Sequence, residues 1–171
     1  MNRFEGRTIL VTGAGSGIGR ASALRLSEEG ARIIALDRDS ARLDESASSL
    51  TGEGHLRRTV DTTDESALAA MAAELREAKV QLDGAVHCAG IHGLRPLQLL
   101  DNAALLEMLN SHVVSSVALT RAIVTARLVP PDGASIVWFS STAALRGGAG
   151  TLAYAAAKGA LISAARVLAV E

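Results

Sequence analysis

Tyr154 and Lys158 stand four residues apart in Tyr154-Ala155-Ala156-Ala157-Lys158. The alanines between them favour helix, and that spacing brings both side chains to one helix face. A phenol is a poor proton shuttle near neutrality, but an ammonium within reach stabilises the phenolate and makes the pair a usable acid/base. Upstream, an apolar run ends in Phe139-Ser140-Ser141, where either hydroxyl could hold a carbonyl or alcohol oxygen. Near the amino terminus, Thr12-Gly13-Ala14-Gly15-Ser16-Gly17-Ile18-Gly19 joins an apolar strand pattern to a helix pattern. Glycines in that setting permit a tight turn and let backbone amides approach a pyrophosphate, whose charge the helix amino terminus stabilises. A side chain at Gly13 or Gly19 would obstruct that approach, so the loop is expected to bind a dinucleotide through Gly13, Gly15, Ser16, Gly17, Ile18 and Gly19. Asp37 lies eighteen positions beyond Gly19, where a carboxylate accepts hydrogen bonds from an adenosine ribose and repels a 2′-phosphate. NAD is therefore the preferred cofactor; Arg38, next in sequence, can offset the repulsion and leaves NADP open.

These groups need a scaffold, and the hydrophobic pattern supplies one. Strands are expected at Arg7–Val11, Arg32–Leu36, His55–Val60, Gly84–His87 and Ser135–Phe139. Helices are expected at Ser16–Glu29, Ser40–Leu50, Asp64–Lys79, Asp101–Leu128 and Thr151–Glu171, with Asp101 as an N-cap and Pro130-Pro131-Asp132-Gly133 as the turn closing the fourth. Alternating strands and helices imply parallel pairing by right-handed crossovers, and runs such as Ile33-Ile34-Ala35-Leu36 suit a sheet covered on both faces. The expected fold is a three-layer, doubly wound α/β sandwich, with residues 1–171 forming one dinucleotide-binding and catalytic domain.

With Thr12-Gly-x-x-x-Gly17-x-Gly19, Asp61, Ala89-Gly90, Asn110, Ser141 and Tyr154-x-x-x-Lys158 in order, the chain resembles the short-chain dehydrogenase/reductase family along nearly its whole length. The three-residue gap between Gly13 and Gly17 resembles that of the compact branch. The resemblance implies a Rossmann sheet of strand order 3-2-1-4-5. It implies that Asp61, beside Thr62, contacts the adenine, and that Ala89-Gly90 passes beside the cofactor. The family's thirteen-residue spacing to the tyrosine selects Ser141 over Ser140, which is left as a turn or capping hydroxyl. Asn110, inside the fourth helix, is implied to support a water linking Lys158 to solvent. The implied reaction interconverts an alcohol and a carbonyl of a small molecule: hydride passes between nicotinamide and substrate carbon, Tyr154 moves the proton, Ser141 holds the oxygen and Lys158 also holds the nicotinamide ribose. Where the family commonly has Asn-Asn-Ala-Gly, this chain has His87-Cys88-Ala89-Gly90. Adjacent strand residues point to opposite faces and do not close around one ion, so His87 is expected to be a satisfied histidine, Cys88 a small buried hydrophobe, and no metal is expected.

The bulk composition removes other classes. Seventeen basic and eighteen acidic residues leave a net charge of −1, and aromatics are 2% of the chain, so neither a basic face nor stacking platforms for nucleic acid are at hand. The single cysteine, Cys88, cannot form an intrachain disulfide, and no signal-peptide-like segment opens the sequence, which fits the cytoplasm. No apolar run free of Arg, Asp or Glu approaches the ~20 residues that cross a bilayer, so no membrane partner is expected. Arg95 and Arg146, in loops near the expected cleft, are expected as solvated loop charges, with an anionic substrate as the alternative partner. Apolar residues on several sides of the last two helices, among them Val113, Val114, Val117, Leu119, Leu161, Ile162, Val167 and Leu168, suit sheet packing or, as the resemblance implies, a homodimer or homotetramer. The sequence stops at Glu171 inside a helix pattern, whereas the resemblance implies about half as much chain again, with a sixth strand, a substrate lid and a seventh strand. The corresponding alternative is a truncated nucleotide-binding module acting as a sensor or interaction subunit.

Overall fold

The computed structural model describes residues 2–171. Five parallel strands form one sheet: β1 (Thr8–Thr12), β2 (Arg32–Asp37), β3 (Leu56–Thr59), β4 (Gly84–His87) and β5 (Ser135–Trp138), in the expected order β3-β2-β1-β4-β5. Helices α1 (Gly17–Glu28) and α2 (Ser40–Ala47) follow β1 and β2, α3 (Glu65–Glu77) follows β3, α4 (Asn102–Leu109) and α5 (Ser115–Thr125) follow β4, and α6 (Leu152–Leu168) follows β5. One face of the sheet buries Ile9, Val11, Ile33 and Ala35 with Ala23 and Leu43; the other buries Leu10, Ile34 and Leu36 with Leu68, Leu75, Leu119 and Ile123. Alternate residues of each strand thus feed opposite cores, which is why the strands read as continuous apolar runs.

The fourth helix departs from expectation in two ways. It is broken between α4 and α5 by a π-helical turn, Asn110–Val114, and it ends at Thr125 rather than at Leu128. Its stop is Arg127 in the left-handed region (φ 56), with Leu128 N–H bonded back to Ile123 O and the Leu128 side chain buried. That is a Schellman closure made without glycine, so no stop signal stood in the sequence. The Pro130–Gly133 turn forms one step later, through Gly133 N–H to Pro130 O. Asp101 caps α4 as expected, accepting from Ala104 N–H at 2.8 Å. Taken together with its π-helical turn, the segment Asn102–Thr125 is long and apolar enough by composition to cross a membrane, although Glu107 and Arg121 interrupt its apolar run as expected. Its Ala118, Leu119 and Ile123 are instead buried against the sheet and α3. Val114 and Val167 are exposed, while Leu119 and Leu161 are buried, so the apolar sides of these helices divide between core and surface.

Candidate functional site

Strand order reverses between β1 and β4, and open parallel sheets place their ligands in the crevice at the carboxyl ends of such neighbouring strands. A cleft of about 560 Å³ lies there, lined by Gly13, Ser16, Gly17, Ile18 and Gly19 after β1, Asp37 and Arg38 after β2, Asp61 and Thr62 after β3, and Ala89 and Gly90 after β4. Thus the residues expected to touch a dinucleotide meet in one cavity, except Gly15, Tyr154 and Lys158, which do not line it. Gly15 acts from behind: its N–H donates to Asp37 Oδ2 at 2.9 Å, while Asp37 Oδ1 accepts from Asp39 N–H at 3.0 Å. Asp61 accepts from both the amide and the hydroxyl of Thr63, which hold its carboxyl below the usual carboxylate range.

The cradle fits a pyrophosphate. Ser16 is the extended N-cap of α1 without a side-chain cap bond, and no acidic residue occupies the first helical turn. Its opening amides are therefore unscreened by side chains, as an anion requires. Gly13 adopts φ 65 and Gly19 packs so closely that an added Cβ would lie 2.1 Å from Gly13 O. The loop must therefore remain folded back on the helix start.

Behind the cleft, β1 and β4 are locked together by a buried polar chain. Thr12 and His87 are register partners. Thr12 Oγ1 accepts from Ala89 N–H and lies 2.8 Å from His87 Nδ1; because the Ser115 hydroxyl hydrogen goes to Ser111 O, His87 donates from Nε2 and its Nδ1 accepts from the Thr12 hydroxyl. His87 Nε2–H then donates to Ser115 Oγ at 3.1 Å, and Ser115 donates to Ser111 O. His87 is satisfied at both nitrogens, as expected, and burial pushes its pKa down to about 4. Cys88 is half-buried in the apolar cluster under α1, and burial raises its thiol to about 11, so it is not a ready nucleophile.

The candidate acid/base pair lies at the same sheet edge. Lys158 is buried and donates from Nζ to Phe139 O at 2.8 Å, with Nζ 5.6 Å from the centre of the Tyr154 ring; burial lowers its pKa. α6 packs against the short helical turn Thr142–Ala144, which Ser141 caps by accepting from Ala143 N–H. The capping part expected of Ser140 falls to Ser141, while Ser140 donates to Lys158 O at 2.8 Å and ties the end of β5 to α6. Capping uses a lone pair of Ser141, so its hydroxyl hydrogen stays free to donate.

Asn110 is not brought to this centre. Its side chain is exposed at the start of the π-helical turn, and two residues along a helix place side chains on nearly opposite faces. The residue that points inward is His112, which the sequence reading missed. It is buried, its Nε2 lies 2.7 Å from Ile91 O, and its ring meets the Tyr154 ring edge-on at 5.6 Å. His92 packs against Tyr154 from another side, at 5.1 Å. The helix phase could have found His112: Met108, Ser115, Ser116 and Leu119 are its buried neighbours at helical spacing. Arg95 and Arg146 are exposed, as expected, and Arg95 N–H bonds Gly150 O, joining the loops that follow β4 and precede α6.

The family model for short chain dehydrogenases matches residues 7–171. A 3beta-hydroxysteroid dehydrogenase of Mediterraneibacter gnavus is 34% identical over all of this chain and 62% of its own length. An NAD-dependent oxidoreductase of Mycobacterium tuberculosis is 34% identical over 98% of this chain and 66% of its own. The chain therefore spans less than two thirds of these curated relatives. Among solved structures, a short chain dehydrogenase from Escherichia coli CFT073 complexed with NADPH superposes with a TM-score of 0.90 at 31% identity, over 98% of this chain and 72% of that one.

Proposed function

Because the chain belongs to the short-chain dehydrogenase family, we propose that it interconverts an alcohol and a carbonyl of a small-molecule substrate, with residues 1–171 acting as one dinucleotide-binding and catalytic unit. The observation that carries this reading is the convergence on one sheet edge of the glycine cradle after β1 and the Tyr154–Lys158 pair of α6. Bound in the cleft, a nicotinamide dinucleotide supplies or accepts the hydride.

Gly13 through Gly19 hold the pyrophosphate with backbone amides, and Asp61 and Thr62 flank the adenine. Asp37 accepts hydrogen bonds from the adenosine ribose: each carboxylate oxygen has a second lone pair beyond the one taken by Gly15 or Asp39. That carboxylate favours NAD over NADP, with Arg38 in the same cleft as the opposing group. Tyr154 gives its proton to the substrate oxygen in reduction and takes it in oxidation, while the nearby Lys158 ammonium stabilises the phenolate. Ser141 donates its free hydroxyl hydrogen to the same oxygen. We place the protein in the cytoplasm as a homodimer or homotetramer, its exposed Val114 and Val167 lying on the helices that would pair.

The test is Tyr154→Phe, which should abolish turnover across a panel of alcohols and ketones while leaving NADH binding intact. Undiminished turnover removes Tyr154 from the chemistry. Tighter binding of NADPH than of NADH would overturn the role given to Asp37.

A further inference from the structure

We propose that His112 is a positioning residue: it clamps the Gly90–Ile91 turn and the Tyr154 ring to the π-helical turn of the fourth helix. The clamp stands on geometry; its kinetic consequence rests on the oxidoreductase reading above. A carbonyl only accepts, so the 2.7 Å contact to Ile91 O makes Nε2 the protonated nitrogen of His112. The ring also lies directly on the Gly90 backbone, where a Cβ would come within 2.2 Å of His112 Cε1. From the other side it meets Tyr154 at an interplanar angle of 79°. One imidazole therefore sets the distance between the turn that walls the cleft and the proposed acid/base.

The backbone around His112 is built to hold this aim. The wide turn Asn110–Val114 loosens the ordinary helical bonding, and Ser115 and Ser116 donate their hydroxyls to Ser111 O and His112 O at 2.7 and 2.6 Å. Ser115 also receives His87 Nε2–H, which anchors the turn to β4. Burial, with the nearby Lys158 charge, lowers the His112 pKa against the pull of the Ile91 bond, and the Nε2–H is already committed to Ile91 O. A displacement of about 1 Å between reacting groups lowers rates by as much as about a hundredfold, so a clamp at this point bears on kcat.

The test compares His112→Leu, which removes the donor, with His112→Gln, whose amide reaches a position close to that of Nε2. The chain has one tyrosine, so ring-13C-labelled tyrosine reports Tyr154 alone. Wild type and His112→Gln should each give one narrow set of ring signals; His112→Leu should give broadened or multiple sets. On the substrate panel kcat should fall at least about tenfold in His112→Leu and stay within about threefold in His112→Gln, with NADH affinity held within about threefold in both. Should His112→Leu fail to fold, His112→Met, which also removes the ring N–H but keeps more of the side-chain volume, is read in the same way. The proposal is overturned by a wild-type tyrosine spectrum or an unchanged kcat in His112→Leu, or by His112→Gln as damaged as His112→Leu. If the wild type turns over nothing in the panel, the oxidoreductase reading fails instead, and the tyrosine spectrum still decides the clamp.

Discussion

His87 is closed off from water and bonded at both ring nitrogens, so a second ring proton would break a bond and leave a buried charge. Above its ordinary value of 6.5 neither the folded nor the unfolded chain is protonated there, and no pH dependence arises. Below 6.5 the unfolded chain takes up a proton that the folded protein refuses until about 4, so stability falls through that window. The loss reaches roughly 3 kcal/mol at the acid end. Urea midpoints at about pH 7.5 and about pH 4.5 should therefore separate more in wild type than in His87→Gln; equal separations would acquit His87. At this scale the glycine loop, Asp37, Tyr154 and Lys158 were legible as candidates because the chemistry proposed for them lies in residue type and local spacing. His112 was not, because what distinguishes it from Asn110 is its angular position on a helix whose inward stripe includes Ser115 and Ser116. Buried hydroxyls look polar in a sequence, and that disguised the stripe.

Among the elements, two helices end on residues that pay for a left-handed backbone. Lys79 and Arg127 both adopt φ 56 after α3 and α5, where Val80 and Leu128 close the last turns onto Leu75 O and Ile123 O. Non-glycine residues are strained in that region. Lys79→Gly and Arg127→Gly should each stabilise the protein by about 0.5–1 kcal/mol, read as a raised denaturant midpoint. Glycines elsewhere divide by what a methyl group would meet. At Gly19 it would strike the Gly13 carbonyl, so Gly19→Ala should lower stability by about 1–3 kcal/mol and weaken NADH binding at least about tenfold. At Gly159, inside α6, it would meet nothing within 4 Å, so Gly159→Ala should stabilise by up to about 1 kcal/mol. Calorimetry on the pair checks both signs. The ends of the helices were misplaced in the sequence reading where closure used lysine or arginine in place of glycine.

At the scale of the molecule, the sheet order gathers loops from four strands at one edge, so a ligand there bridges segments far apart in sequence. Binding of that kind stabilises the folded state alone. NADH at about a hundred times its dissociation constant should raise the unfolding free energy by about 2.7 kcal/mol, a rise in Tm of roughly 5–10 °C for a chain of this size. NADP at the same concentration should raise it less if Asp37 governs the ribose. A thermal scan in the presence of each nucleotide decides the matter, and no shift with either would remove the dinucleotide from the cleft.

Hydrophobic periodicity and the glycine loop were enough to establish the α/β class and the strand and helix order, and to mark the turn after β1 that lines the cleft, because those features depend on residues within one or two turns of one another. The resemblance of spaced motifs extended that to the sheet order and the family. Packing settled the rest: the π-helical turn at Asn110–Val114, the Thr12–His87–Ser115–Ser111 chain, the Ser140 tie to α6 and the Ser141 cap, and His112 against Gly90 and Tyr154. Each of these joins residues on different elements, where distance and direction come from how helices seat on the sheet. No local pattern in the chain encodes that seating.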